Sequence, residues 1–424
     1  MKVAVIGGGP ASPKTTSRGL HIAVVGGGFT GLAAAYELTK RGQKVTLFEA
    51  GPVLGGLAKG FRPPAGGWEW SLECSYHHWF TNDRAALGFI KELGLQNKLI
   101  IRRPITANLY NGKPYQLDSP LNLFLFPRLS IVDKLRTAAL LAFLKIMPFW
   151  KPLENLTAEQ LLTSIGGNKA YHVLWEPLFV GKFGDFAPKV QAAWFWARIK
   201  KRTPSLMYME GGFKTLIDTL ENTIKKQGGK IIHNSQFTIH NSQFDKVLLT
   251  VPTQIAQKIL PEIKTPPIPH LWAQTLILET DKPILDRVYW LNITDRSFPF
   301  LAAVAHTNFM DKKYYGNHHL TYFGNYLPAG HPYLSLTKDE LLKEFLPFIK
   351  KIGNWKLEIV NSFLFTAPFA QPVHELHYSQ KIPPFTTPLP NVYLANMDFI
   401  VPWDRGVNYA IELGQKAAKT ILKQ

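Results

Sequence analysis

The sequence predicts an α/β fold, and three observations within residues 20–60 predict it. Residues 21–25 (HIAVV) form a short apolar run with the length and β-branched content of a buried parallel strand. The run enters Gly26-Gly27-Gly28-Phe29-Thr30-Gly31 and then a helical stretch ending at Arg41. A second strand over 44–48 ends at Glu49, an acid 18 residues past the last glycine. Together these make a complete βαβ unit of the Rossmann-like, dinucleotide-binding kind.

Each part of the unit has a physical job. Gly26 makes the tight turn, Gly28 lets backbone approach a pyrophosphate, and Gly31 lets the helix pack closely on the strand. Phe29 and Thr30 open the helix, whose free N–H groups and positive dipole end hold phosphate. Glu49 accepts hydrogen bonds from the ribose hydroxyls. A glycine doublet, Gly55-Gly56, follows shortly after. A nicotinamide-only domain has no general need for it. A site burying an extended FAD does, because the backbone there passes close to the pyrophosphate and ribityl chain.

Composition sets the outer bounds. At 424 residues the chain is long enough for two or three domains, with 46% apolar and 18% charged residues. Its single cysteine, Cys74, excludes an intrachain disulfide framework and fits a reducing compartment. Lys and Arg number 48 against 30 Asp and Glu, a net charge of +18. The basic residues come as scattered pairs and triplets, with no zinc or RNA-binding signature. Anionic membrane surfaces or phosphorylated ligands suit this charge better than nucleic acid. The start reads as a strand and not as a signal peptide. No apolar window reaches about 18 residues, so no membrane span is expected; the nearest, 137–150, contains Lys145 and Pro148. A cytoplasmic location follows, with possible attachment to the inner face of the membrane.

The glycine turn, the acid and the glycine doublet resemble the FAD signature of the flavin amine oxidase superfamily, which includes protoporphyrinogen oxidases, phytoene and other polyene desaturases, and monoamine oxidases. Similar segments continue from residue 20 almost to the end. They are Asn111-Gly112-Lys113-Pro114-Tyr115, Trp175-Glu176-Pro177-Leu178, Gly181-Lys182-Phe183-Gly184, Gly211-Gly212-Phe213, Leu249-Thr250-Val251-Pro252, Ala370-Gln371-Pro372-Val373 and Val392-Tyr393-Leu394-Ala395-Asn396.

The resemblance implies a discontinuous, glutathione-reductase-like FAD-binding domain over 20–100, 206–264 and 380–424. An interleaved α+β substrate domain with an antiparallel sheet takes 101–205 and 265–379. Local patterns agree. Helices are expected over 81–97, 130–145, 157–165, 188–201 and 211–228, the last stopped by Gly228-Gly229. Strands are expected over 230–239 and 245–251 in the first domain. In the second they fall over 287–293, 299–306 and 320–326, followed by a helix over 337–351 that opens with the capping box Thr337/Glu340. A strand over 391–395 and a helix over 405–423 close the first domain.

Two repetitions carry no site. Residues 1–10 (MKVAVIGGGP) nearly copy the real glycine turn, but Ser12 replaces the third glycine and Pro13 opposes the helix. Residues 1–19 are therefore read as a non-functional extension. HNSQFTI at 233–239 is partly repeated from His240, which is most simply a local duplication extending a hairpin, and His233 and His240 lack the context of a metal site.

The resemblance further implies that a C-terminal strand and helix start hold the flavin ring, with the helix dipole stabilising its reduced, anionic form. Asn396, Asp398, Val407 and Asn408 occupy those positions. With Gly26, Gly28, Phe29, Thr30, Gly31, Glu49, Ala50, Gly55, Gly56 and Leu57 they make the FAD-contact set. Three departures from the family pattern stand out: Leu57 where an arginine is common, Asn396-Met397-Asp398 for the usual Gly-Asp or Gly-Glu, and Tyr409 for a small residue.

Residues 73–80 (ECSYHHWF) match the strand that passes the flavin ring, making His77 and His78 the catalytic candidates, to orient substrate or move a proton near neutral pH. A packed aromatic cluster explains the same histidines. No metal is expected. Residues 121–150 mix apolar, aromatic and basic side chains, fitting a membrane contact, a lipophilic substrate tunnel, or an ordinary packed helix.

The function that follows is hydride transfer from a largely apolar polyisoprenoid, polyene or porphyrinogen-type substrate to flavin, with the electron acceptor open. A non-redox enzyme resembling UDP-galactopyranose mutase is the first rival, since residues 77–83 look like that family's His-rich segment. A flavin-bearing binding protein without turnover is the second.

Overall fold

The computed structural model describes residues 19–64, 66–239, 243–353 and 356–423. The expectations for residues 1–18 and for His240 lie outside them. A five-stranded parallel sheet runs in the order Lys230–Ile232, Lys44–Phe48, His21–Val25, Lys246–Leu249, Val392–Leu394. Its central strands bury both faces, which is why they read as unbroken apolar runs. The helix Phe29–Lys40 is buried nearly all round, because the helices Phe213–Lys226 and Val407–Ile421 both pack on it. Its run Ala33-Ala34-Ala35 suits that crowding. A Cβ on Gly414 would lie 2.3 Å from the Thr30 carbonyl oxygen, so these helices meet almost backbone to backbone.

The second sheet has seven strands, in the order Ile359–Pro372, His270–Thr280, His319–Leu327, Ala302–Ala305, Val288–Ile293, Ile105–Tyr110, Lys113–Gln116. All of its pairs are antiparallel except Val288–Ile293 with Ile105–Tyr110. One face is covered by the helix Lys338–Ile352, through a core that includes Leu276, Leu278, Leu341, Phe345 and Ile349. The Thr337/Glu340 capping box starts that helix. A further helical layer, with Ile131–Ile146, Glu176–Phe183 and Ala192–Lys201, has its own core of Phe179, Phe183, Trp194 and Phe195.

Local expectations failed where tertiary contacts outweighed pattern. The strand expected over 230–239 stops at Ile232. The first HNSQFTI copy forms no strand and so extends no hairpin; its Phe237 packs on Phe48 with ring centroids 5.2 Å apart, and Ile239 is buried in the same cluster. The helix expected over 188–201 begins only at Ala192, after Val190 bridges to Glu375. The one over 157–165 is a single capped turn, Ala158–Leu161, continued as a π-helical turn Leu162–Gly166.

Candidate active site

At the tips of His21–Val25 and Lys44–Phe48 the glycines form a groove free of side chains. Gly26 has φ +111°. A Cβ on Gly31 would stand 1.9 Å from the Gly26 carbonyl oxygen, so only glycine fits there. Gly28 and Gly56 face each other: the nearest atom to a Cβ on Gly28 is the Gly56 Cα at 3.9 Å. Gly55, with φ +112°, donates its N–H to the Gly27 carbonyl at 2.8 Å, tying the doublet to the turn. Phe29 and Thr30 start the helix, whose first-turn N–H groups have no intrahelical acceptor.

Glu49 is held rigidly beside this groove. Its Oε2 accepts the Gly27 N–H and its Oε1 the Gly51 N–H, both at 2.7 Å. Each oxygen keeps a lone pair for a hydroxyl donor. Ala50, between Glu49 and Gly51, is exposed.

A narrow pocket of ≈ 20 Å³ opens against the antiparallel sheet, lined by Leu57, Ser75, Tyr76 and His77 on one side and by Thr275, Tyr326 and Arg405 among others opposite. His77 Nδ1 is 2.7 Å from the Ser75 carbonyl, so the neutral ring donates from Nδ1 and leaves Nε2 as an acceptor. Burial, then the Arg405 charge, pushes its pKa down to about 4. His78 is pushed to about 3 by burial, then by His77, Arg202 and Arg198. Both rings are thus neutral at neutral pH. Through the free Nε2, a neutral His77 can orient a substrate N–H or O–H. His78 packs among Phe80, Tyr289 and Trp290, with Nδ1 3.3 Å from the Tyr289 hydroxyl.

Behind this wall Glu73 is almost fully buried. Its carboxyl accepts the Tyr208 hydroxyl at 2.6 Å and the Phe213 N–H at 2.7 Å. Burial raises its pKa to about 7 despite those two hydrogen bonds. Cys74 next to it is buried, with its thiol pushed up to about 11, which suits packing and not nucleophilic attack.

Three of the C-terminal candidates spend their side chains elsewhere. Asn396 donates to the Val251 carbonyl at 2.9 Å and accepts the Asp398 N–H at 3.0 Å. Asp398 accepts the Thr253 hydroxyl at 2.5 Å and pairs with His270 Nε2 at 2.7 Å. Asn408 Oδ1 accepts the Ala86 N–H at 3.0 Å, pinning one helix start to another. Asp398 and the Oδ1 of Asn408 are thus tied into the protein's own hydrogen bonds. Val407 is buried at the first turn of Val407–Ile421. Reading the sequence missed Tyr76, Tyr326 and Lys182. Their signal was position, next to His77 and inside already quoted segments, and not residue type.

Residues 29–422 match the family model described as flavin containing amine oxidoreductase. The chain belongs to this family. The match takes in the whole antiparallel sheet, the pocket-lining residues and four of the five parallel strands; it begins after His21–Val25 and Gly26–Gly28. A protein of Exiguobacterium sp. 255-15, assigned as a protoporphyrinogen oxidase, superposes with TM-score 0.75 at 19% identity, over 97% of this chain and all of that one. Reduced UDP-galactopyranose mutase superposes with TM-score 0.72 at 14% identity, over 95% and 96% of the two chains. At these identities the likeness is one of fold. In sequence, zeta-carotene desaturase of Solanum lycopersicum is 23% identical over 236 residues, 47% of this chain but only 39% of that protein.

The cofactor of a flavin amine oxidoreductase on this fold is FAD, and the residues present fit it. A Cβ on Gly28 would fill the groove that the helix N-terminus and Gly56 leave open, the place a pyrophosphate needs. Gly26, Gly28, Phe29, Thr30, Gly31, Gly55 and Gly56 would hold the pyrophosphate, and Glu49 the ribose. Bound FAD supplies a two-electron acceptor. The chain's own residues at the pocket are His77, whose Nε2 can accept a hydrogen bond, the side chains of Tyr76 and Tyr326, and Arg405.

Proposed function

We propose that the chain is an FAD-dependent oxidoreductase taking a hydride from a largely apolar substrate of polyisoprenoid, polyene or porphyrinogen type. One observation carries the reading. The pocket lies between the antiparallel sheet, through Thr275 and Tyr326, and the segments that follow the glycine doublet and precede the last helix, through Leu57, His77 and Arg405, and a neutral histidine and tyrosines wall it. The desaturase and protoporphyrinogen oxidase names of similar proteins support the substrate class. We read 20–100, 206–264 and 380–424 as the FAD-binding domain, since all five parallel strands fall there, and 101–205 with 265–379 as the substrate domain.

The same proposal places the protein in the cytoplasm against an anionic membrane. Between residues 121 and 149 the structure exposes Leu121, Leu125, Ile131, Val132, Ile146 and Phe149 by 60–76%. The helix Ile131–Ile146 buries Leu140 and Leu144 on one stripe and still carries a second apolar stripe outside. Arg128, Lys134, Lys145 and Lys151 surround it, a composition suited to anionic headgroups. Among the described residues no helix is long and apolar enough to cross a membrane.

The mutase-like reading survives on its fold match and on the cations Lys182, Arg198 and Arg405. Two preparations separate the readings. Turnover starting from oxidised flavoprotein supports oxidoreduction; turnover seen only after reduction by dithionite supports the mutase.

A further inference from the structure

Beside Arg405 at the edge of the pocket, two cations, Lys182 and Arg198, converge on one carboxylate. Asp404 Oδ2 accepts Lys182 Nζ at 3.2 Å and Arg198 Nη1 at 2.5 Å. Its Oδ1 accepts Trp194 Nε1 at 3.1 Å, the Arg405 N–H at 3.1 Å and Gln371 Nε2 at 3.3 Å. Asp404 is therefore fully engaged, and the Arg405 guanidinium turns elsewhere. Its Nε donates to Gln371 Oε1 at 3.1 Å and its Nη2 to the Tyr326 hydroxyl. Lys182 and Arg405 both lie over the Tyr326 ring, at 5.0 Å and 5.2 Å from its centroid.

The charge does not balance. Among the described residues, Asp404 is the one carboxylate in ion-pair contact with Lys182 or Arg198, so the basic groups Lys182, Arg198 and Arg405 outnumber it. Two of its members are poorly solvated, the Lys182 side chain being 15% exposed and that of Asp404 17%, while Arg198 is 40% exposed. Holding like charges together away from water is unfavourable unless an anion completes the set. Burial, together with Arg198 and Arg405, already pushes the Lys182 ammonium down to about 7. Donors remain for such an anion, since an ammonium carries three and each guanidinium five. Arg405 and Tyr326 line the pocket itself, so the cluster continues the cavity that His77 borders.

We infer that the substrate carries an acidic group, a carboxylate or a phosphate, which binds Lys182, Arg198 and Arg405 while its apolar part lies along Tyr76 and Tyr326. Asp404 acts as the positioning residue that aims the cations. The inference rests on the pocket proposed above as the substrate site. It narrows the substrate from apolar to amphiphilic and selects acidic porphyrinogens or phosphorylated isoprenoids over neutral polyenes.

The test is calorimetric titration of the FAD-loaded full chain with decanoate, decanol and inorganic pyrophosphate at fixed ionic strength. Saturable binding of decanoate or pyrophosphate is expected, weakened at least tenfold in Arg198→Gln and in Lys182→Met. Decanoate alone would mark a carboxylate site, pyrophosphate alone a phosphate site. The half-exposed Arg198 makes its variant the one expected to keep the native melting temperature and bound FAD. Decanol binding as well as decanoate, no anion binding, or anion binding unchanged in a folded Arg198→Gln protein would each overturn the inference. Flavin reduction by a neutral polyene without anion binding would overturn it and leave the oxidoreductase reading standing. Anion binding without any substrate-driven flavin reduction would do the reverse.

Discussion

A Cβ on Gly56 would lie 3.1 Å from the Cα of Gly28, with the Gly56 backbone at φ +57°. Two segments 28 residues apart in sequence thus meet with no side chain between them. The groove they leave is what makes the βαβ unit an FAD site.

Gly28→Ala should therefore abolish flavin retention without unfolding the protein, because the added Cβ enters the groove and meets nothing closer than 3.9 Å. FAD affinity should fall at least tenfold, about 1.4 kcal/mol or more. Flavin absorbance after gel filtration reads the loss, and circular dichroism checks the fold. Gly31→Ala should instead yield unfolded protein, since its Cβ overlaps the Gly26 carbonyl.

The Glu73 carboxyl gives a pH signature. Its folded pKa is raised from 4.5 to about 7, so the native state holds a proton that the unfolded state releases first. Stability is highest below pH 4.5 on this account and falls as pH rises towards 7, by up to about 3 kcal/mol. Glu73→Gln removes the titration. In urea melts its stability relative to wild type should climb across that window and level off above it; a constant offset would contradict the assignment.

Asp404→Asn should destabilise the protein by about 3 kcal/mol, because it leaves the largely buried Lys182 without its carboxylate. Adding Lys182→Met removes one stranded charge and should recover part of the loss. Thermal melts of the two single variants and the double variant measure that coupling.

The exposed apolar stripe makes a separate claim. Replacing Phe143, Ile146 and Phe149 by serine should cut flotation on phosphatidylglycerol vesicles several-fold with little change in melting temperature, because all three are at least half exposed. Leu144→Ala, fully buried on the other stripe, should lower the melting temperature by several degrees and leave flotation intact.

What the sequence disclosed was whatever is local. The unit from His21 to Glu49, the doublet at Gly55-Gly56 and the Thr337 capping box are patterns of neighbouring residues, and the structure places each within a residue or two. The pairing of Asp398 with His270 was not legible, because the two lie 128 positions apart and nothing near Asp398 signals the pair. Lys182 and Asp404, 222 positions apart, were invisible as a pair for the same reason. His77 and His78 were found as residues, but their neutrality comes from burial, which a short aromatic motif does not encode.

Anaerobic mixing of the oxidised, FAD-loaded protein with an acidic porphyrinogen, followed by flavin absorbance, tests the central claim most directly. The account predicts loss of the oxidised-flavin band at a rate that saturates with substrate and falls in Arg198→Gln. An unchanged oxidised band with porphyrinogen, phosphorylated isoprenoid and polyene alike, beside turnover only after dithionite reduction, would contradict it.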